Sequence, residues 1–376
     1  MDKKNIIISG INLFEGGPLS IIKDCLSFLN KSAYQKDYNL IALVHKKSLF
    51  LKDDYINIKF IEFPKSRKSY AYRLYYEYLY FKKIAKKYKP VFWLSLHDIT
   101  PNISYVPQAV YCHNPSPFNT LNMADINLQP TQFFFRLFYK YLYKINIDKN
   151  KYVIVQQLWI KNEFKKMFKL NRNQIIIAPP KIPNIENKYL DESNRWLKNK
   201  ETTKNIFFFP TFPRPFKNIE VICEAIKLVL QMSKKDFSFI ITLDGTENKY
   251  AKSIFKKYKY IENIKFIGLV NRNRVYELYS KCDVLIFPSK LETWGLPISE
   301  FKQFKKPMFV ADLKYAKETV GNYEYACFFK PNDAYQLSQL IINAIEKKLV
   351  FDKTNSVKYE QPVVNDWDEL FTTLLK

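Results

Sequence analysis

Two carboxylates, Glu292 and Glu300, stand eight positions apart on either side of Gly295-Leu296-Pro297. The apolar run Asp283 to Phe287 before them reads as a short buried strand that Pro288 and Ser289 end. Gly295 lets backbone approach a bulky anion and Pro297 suits the first turn of a helix, so the spacing predicts a helix whose amino terminus points back into the loop. Amides and dipole there favour a phosphate. Glu300, in the first helical turn, offers two acceptor oxygens that suit a pair of sugar hydroxyls, and Glu292 lies closer to whatever the phosphate carries. An acidic helix cap on an unrelated α/β protein would use the same residue types.

Further candidates stand at other strand ends. Gly16-Gly17-Pro18 opens a helix after the strand Asn5 to Ser9, so its amides can approach a phosphate or an acceptor, as in any glycine-bearing strand-to-helix turn. His113 follows Gln108 to Tyr111 in Tyr-Cys-His-Asn-Pro-Ser-Pro-Phe; a neutral imidazole there offers one donor and one acceptor to hydroxyls, or serves as an ordinary loop histidine. Asp98, after His97, is placed to accept a proton from a hydroxyl or to cap a turn. Arg214 and Lys217 lie between the strand Asn205 to Phe209 and a helix.

The elements that must position these groups recur in two series of strands and helices. The first runs through Ile6 to Ile8, Leu19 to Leu29, Asn39 to Val44, Ile58 to Ile61, a long helix near Arg73 to Lys87, Val91 to Leu96 and Gln108 to Tyr111. The second restarts at Asn205 to Phe209, with helices near Asn218 to Met232, Lys249 to Tyr258 and Arg274 to Tyr279. Two such series imply two parallel sheets. The polar, Pro-bearing tract from Pro179 to Lys204 reads as an interdomain linker, and Trp367 to Leu375 as a short amphipathic helix. At 376 residues, 47% of them hydrophobic, the chain can form two ordinary domains. The five cysteines are scattered singly and the three histidines form no ligand cluster, so neither a disulfide framework nor a metal site is expected.

Sixty basic against thirty-six acidic side chains leave a formal charge of +24, which calls for a polyanionic partner unless it reflects an AT-biased genome. Lys65 to Lys89 holds nine Lys or Arg, one Glu and seven Tyr, a composition suited to an anionic headgroup layer and equally to helices with a solvated basic face and a buried aromatic one. Phe133 to Lys151 is a second such segment. No zinc-finger, RRM or KH signature supports nucleic-acid binding, and no run of eighteen uncharged apolar residues or signal-peptide pattern is present, so a cytoplasmic protein is expected.

The strings Phe-Pro-Ser, Glu-Thr-Trp-Gly-Leu-Pro and Lys-Lys-Pro around the two glutamates resemble the Glu, seven residues, Glu motif of retaining glycosyltransferase family four. Trp294 stands where Phe is more usual there, and Phe301 where a small residue usually follows. The resemblance implies the GT-B fold, two Rossmann-like domains facing across a crevice: an acceptor domain over 1–180, a nucleotide-sugar domain over 181–358, and a carboxyl-terminal helix over 359–376 crossing back to the first. It implies that Glu300 holds the ribose, Glu292 the transferred sugar, and Arg214 and Lys217 the donor diphosphate, although Pro210-Thr211 replaces the commoner Gly-Arg and the Arg-to-Lys spacing is compressed. His113 would contact the donor sugar, Gly16 and Gly17 would line the place where donor and acceptor meet, and Gly268, Leu269 and Val270 would hold the base. Thr293, Trp294, Gly295 and Leu296 would help bind the donor, the helix terminus at Gly295 stabilising the departing diphosphate. The implied reaction is metal-independent hexosyl transfer with retention, from a UDP- or GDP-linked donor and without a further cofactor. Its acceptor would be a polyprenyl-diphosphate-linked glycan at the cytoplasmic face of the inner membrane, in assembly of O-antigen or capsule. A sugar-nucleotide epimerase on the same architecture and a non-catalytic basic binding protein are the alternatives.

Overall fold

The segment Asn5 to Ser9 is apolar at consecutive positions, the pattern of a strand covered on both faces. In the computed structural model, which describes residues 3–118, 138–198, 204–233 and 236–376, Ile6, Ile7 and Ile8 are fully buried inside a parallel sheet. Its strands are β1 (Lys4–Gly10), β2 (Tyr38–Val44), β3 (Ile58–Glu62), β4 (Phe92–Ser95), β5 (Gln108–Cys112), β6 (Tyr152–Val155) and β7 (Ile175–Ile177), in the order β3-β2-β1-β4-β5-β6-β7. Register follows the buried runs, with Ile6 opposite both Leu40 and Phe92.

A second parallel sheet is built from β8 (Asn205–Phe209), β9 (Phe237–Ile241), β10 (Ile264–Phe266), β11 (Val284–Phe287), β12 (Met308–Ala311) and β13 (Ala326–Phe329), in the order β10-β9-β8-β11-β12-β13. Its inner strands are equally apolar: Phe207 and Phe208 of β8 pair with Val284 and Leu285 of β11, and all four are buried. The described residues up to Lys181, together with 359–376, form one unit, and the described residues of 182–358 form the other.

The last helix, Trp367–Leu375, belongs to the first unit. Asp366 caps it by accepting from the Glu369 N–H (2.9 Å), and Leu370, Phe371 and Leu374 are buried, with the Phe371 ring stacked 6.2 Å from Phe28. The chain leading to it is held by Lys161, itself 1% exposed, whose ammonium donates to the carbonyls of Glu360 and Gln361 at 3.0 Å each.

One expectation needs correction. Within the tract read as a linker, Asn187–Lys198 is a helix packed on the second unit: the Tyr189 ring lies 5.7 Å from Tyr276, and Glu192 meets Ser280 and Lys281. Ile185, Tyr189 and Ser193 are buried at a four-residue spacing, a helical stripe that the polar composition masked. The long helix expected near Arg73 to Lys87 forms over 70–88, with one widened turn inside it. Tyr70–Tyr75 and Phe81–Tyr88 are α-helical, and Tyr76–Tyr80 between them is a π turn, a local widening often found beside functional groups. Arg73 in the segment before the π turn and Glu77 within it are both buried. Of the other basic aromatic segment, residues 133–137 lie outside the described residues; 138–144 is helical, with Tyr139 and Tyr143 buried and Phe138 and Tyr141 exposed.

Candidate active site

In the second sheet the chain leaves β8 towards β9 on one side, whereas β11 begins the series on the other, so the carboxyl ends of β8 and β11 flank a topological switch point. Open α/β sheets bind ligands there. The loop after β8 carries Arg214 and Lys217, and the loop after β11 carries Glu292 to Gly295. Two bonds stitch the loops together: the Lys290 N–H donates to the Phe216 carbonyl (2.7 Å), and the Asn218 side-chain amide donates to the Pro288 carbonyl (3.2 Å). Lys217 Nζ thereby lies 2.5 Å from Glu292 Oε1, over the rings of Phe216 and Phe287. Both side chains keep about one-sixth of their surface exposed, 17% and 16%, enough to meet a ligand while burial strengthens their charges. The Arg214 guanidinium lies over the Phe212 ring, 4.9 Å from its centroid.

Gly295 precedes the helix Leu296–Lys302 at φ +85°, and a Cβ built on it would come 3.2 Å from Ile298 Cδ1 and 3.4 Å from Phe287. Only glycine fits this turn comfortably. Glu300 is 6% exposed; it accepts from Arg272 on Oε1 and from the Tyr279 hydroxyl (3.3 Å) on Oε2. Trp294 turns inward, its indole donating to Ser299 Oγ (2.9 Å) and its carbonyl accepting from Thr319, so its ring packs rather than faces solvent. Phe301, in place of a small residue, is buried against Tyr279. Gly268, at φ +70°, lies so close to Asp244 that a Cβ would come 2.8 Å from its carboxylate, while Leu269 beside it is exposed and Val270 half-buried.

In the first unit the switch point lies between β1 and β4. Gly16, at φ +60°, and Gly17 start the helix Gly16–Lys31; a Cβ on Gly17 would meet nothing within 4 Å. Asp98 follows β4 in a left-handed conformation, φ +70°. Its Oδ1 accepts from the His113 N–H (2.8 Å), the Asn114 N–H (3.2 Å) and the Tyr143 hydroxyl (2.8 Å), and Oδ2 from the Tyr139 hydroxyl (2.9 Å). A carboxylate with its acceptor sites so occupied orients the His113 loop. His113 Nε2 lies 3.7 Å from Asp98 Oδ2; burial pushes the imidazole below its usual range, and Asp98 opposes that shift. Behind them His97 pairs with the buried Glu77, and Arg73 donates to the His97 carbonyl (2.8 Å).

The candidates thus fall into separate sets. Arg214, Lys217, Glu292, Thr293, Trp294, Gly295, Leu296 and Glu300 gather around β8 and β11, with Gly268, Leu269 and Val270 on the β10 loop of the same sheet. Asp98 and His113 meet in the first unit, where Gly16 and Gly17 follow β1. Sequence reasoning missed Arg272 and Tyr279, which hold Glu300, because 28 and 21 residues separate them from it and only the fold brings them together. It also missed the role of Lys306 in the Lys-Lys-Pro string: its buried ammonium donates to the carbonyls of Tyr279, Ser280 and Cys282, closing the end of the helix Arg272–Lys281. Among the described residues no three His, Cys, Asp or Glu side chains converge as metal ligands, and no helix is long and apolar enough to cross a membrane.

Comparison with known proteins matches residues 191–361 to the family described as Glycosyl transferases group 1. O-antigen chain mannosyltransferase RfbU of Salmonella typhimurium is 24% identical over 262 residues, 67% of this chain and 68% of that protein. Among solved structures, a glycosyltransferase from Rickettsia africae superposes with a TM-score of 0.64 at 18% identity, covering 92% of this chain and 89% of its own. Anabaena Alr3699/HepE, solved in complex with UDP-glucose, gives 0.60 at 14% identity over 91% of this chain and 90% of its own. The two parallel-sheet units and these neighbours establish the GT-B fold, and the match over residues 191–361 makes that part of the chain similar to the Glycosyl transferases group 1 domain.

Proposed function

We propose that this chain is a retaining, metal-independent glycosyltransferase that moves a hexose from a UDP- or GDP-linked donor to a lipid-linked glycan in assembly of a surface polysaccharide such as O-antigen. The observation that carries the reading is the convergence of Lys217, Glu292 and the Gly295 turn at the switch point of the second sheet. A nucleotide diphosphate laid there would meet the Lys217 ammonium and the Arg214 guanidinium, which stabilise the charge that grows as the bond from the anomeric carbon to the diphosphate oxygen breaks. Lys217 would exchange its bond to Glu292 for a phosphate oxygen, leaving Glu292 to accept from sugar hydroxyls. Glu300, held by Arg272 and Tyr279, presents a fixed carboxylate for the ribose. The acceptor hydroxyl forms the new bond to the anomeric carbon from the leaving-group face and gives its proton to the departing diphosphate. His113, kept neutral by burial, would donate to or accept from the transferred sugar.

The mannosyltransferase relative supports a hexose and a polysaccharide acceptor, and the UDP-glucose complex of a structural neighbour supports a nucleotide-sugar donor. For the acceptor's membrane, Tyr72, Tyr75 and Leu79 stand exposed beside Lys83 and Lys86, an aromatic and cationic face suited to an anionic leaflet at the cytoplasmic side.

The test is thermal unfolding with UDP, GDP, dTDP and CMP without added metal. One nucleotide at about one hundred times its Kd should stabilise by roughly 2.7 kcal/mol, and the shift should vanish in Glu300→Ala. Absence of any shift, including with the matching nucleotide-sugars, would overturn the reading in favour of a non-catalytic protein.

A further inference from the structure

The first unit holds a polar cavity of about 300 Å³ beside the turn that follows β1. Arg67, Lys68 and Arg73 line it, together with Asn12, Ser69 and Tyr70. Arg73 is the unusual member. It is 3% exposed, its Nη2 donates to the His97 carbonyl, and its Nε is buried with no partner. No carboxylate lies within ion-pair distance of its guanidinium among the described residues, although Glu77 stands one turn along the same face, paired to His97. A buried cation without a counter-ion is costly, by several kcal/mol in general. Arg67 lies over the Phe14 ring, 3.3 Å from its centroid; burial holds it below the usual arginine range, Glu15 opposes that, and Arg73 adds like-charge repulsion. Three cations thus share one small cavity, and Glu15 is the acidic side chain whose charge bears on Arg67 from the neighbouring turn.

From this geometry we infer that the cavity is a phosphate-binding subsite that takes the diphosphate of the acceptor. Guanidinium forks and an ammonium match a multiply charged phosphate better than a neutral sugar, and the Asn12 amide and Ser69 hydroxyl add donors suited to its remaining oxygens. The Ser69 oxygen accepts from the Tyr72 N–H (3.3 Å), which leaves its own proton to give. Assigning the diphosphate to the acceptor rests on the function proposed above; anion binding by the cavity stands without it.

The experiment is calorimetric titration of the full chain with inorganic pyrophosphate and with geranyl diphosphate, a water-soluble prenyl diphosphate, alongside sedimentation with phosphatidylglycerol vesicles. Both diphosphates should bind to Lys217→Gln, in which the donor site is disabled, and lose at least about tenfold in affinity in Arg67→Gln and in Lys68→Gln, each removing one charge-assisted contact. Arg67 and Lys68 are exposed, so these variants keep the inference testable if Arg73→Gln fails to fold. Geranyl diphosphate should bind at least as tightly as pyrophosphate. The inference is overturned if neither diphosphate binds to Lys217→Gln, if Arg67→Gln and Lys68→Gln leave the affinity unchanged, or if vesicles retain the protein while neither diphosphate binds. A diphosphate response that persists while no nucleotide shifts unfolding would count against the proposed function alone.

Discussion

Asp98→Asn separates what the carboxylate contributes from what the backbone contributes. The residue is 6% exposed and sits at φ +70°, a region that asparagine tolerates as well as aspartate. An amide can keep the His113 N–H, the Asn114 N–H and the Tyr143 hydroxyl on its carbonyl oxygen, at neutral strength. Its NH2 group then faces the Tyr139 hydroxyl, which must turn to accept. Hydrogen bonds to a charged group contribute about 1.5–3 kcal/mol and neutral ones about 0.5–1.5. Because bonds within one network do not add, the loss over this set is about 2–4 kcal/mol, and a unit of this size should melt roughly 4–16 °C lower. The pH dependence follows from the same contacts. Burial alone would raise the Asp98 carboxyl, but His113, the Tyr143 and Tyr139 hydroxyls and the His113 N–H outweigh it and hold the group below the usual carboxylate range. Stability from a carboxyl depressed in the folded state is complete above its unfolded pKa, about 3.9, and is lost as pH falls through the folded value. The gap between wild type and variant should therefore stay constant above roughly pH 5 and close below roughly pH 4. Urea unfolding at several pH values reads it. A gap under about 1 kcal/mol at pH 7, or one undiminished at pH 3 with both proteins still folded, would refute the reasoning.

Two further outcomes follow from the site. Gly295→Ala combines a left-handed backbone with contact on Ile298 and Phe287, and should cost about 1–3 kcal/mol, whereas Gly17→Ala, which opens onto free space, should stay within about 0.5 kcal/mol in the same melting experiment. Because burial depresses the His113 imidazole and Asp98 opposes it, an NMR titration should place His113 below the usual histidine range, and lower still in Asp98→Asn; a higher value in the variant would contradict the assignment.

Much of the fold was legible because consecutive apolar runs such as Ile6 to Ile8 and Val284 to Phe287 mark strands of a parallel sheet, and such runs recur in two series. What escaped was structure whose signal is carried by polar residues. The helix Asn187–Lys198 buries a serine and a tyrosine and otherwise looks like a linker, and the π turn at Tyr76–Tyr80 leaves no compositional trace.

The site divides along the same line. Gly295 could be placed from sequence because a strand, a turn and a helix amino terminus follow one another along the chain, whereas Glu300, expected in the first helical turn, is the fifth residue of the helix Leu296–Lys302 and lies just beyond that turn. The Lys217–Glu292 pair spans 75 residues, and it forms because β8 and β11 are neighbours in the sheet. Arg272 reaches Glu300 only because the preceding helix returns beside β11, with Lys306 tying that helix to the start of β12. This matters for mechanism, since Glu300 is buried and cannot adjust to a ligand alone. Arg272, about half exposed, is the partner that can exchange. On the function proposed above, a ribose reaching Glu300 would change its bond to Arg272 rather than the one to Tyr279, whose ring is fully buried.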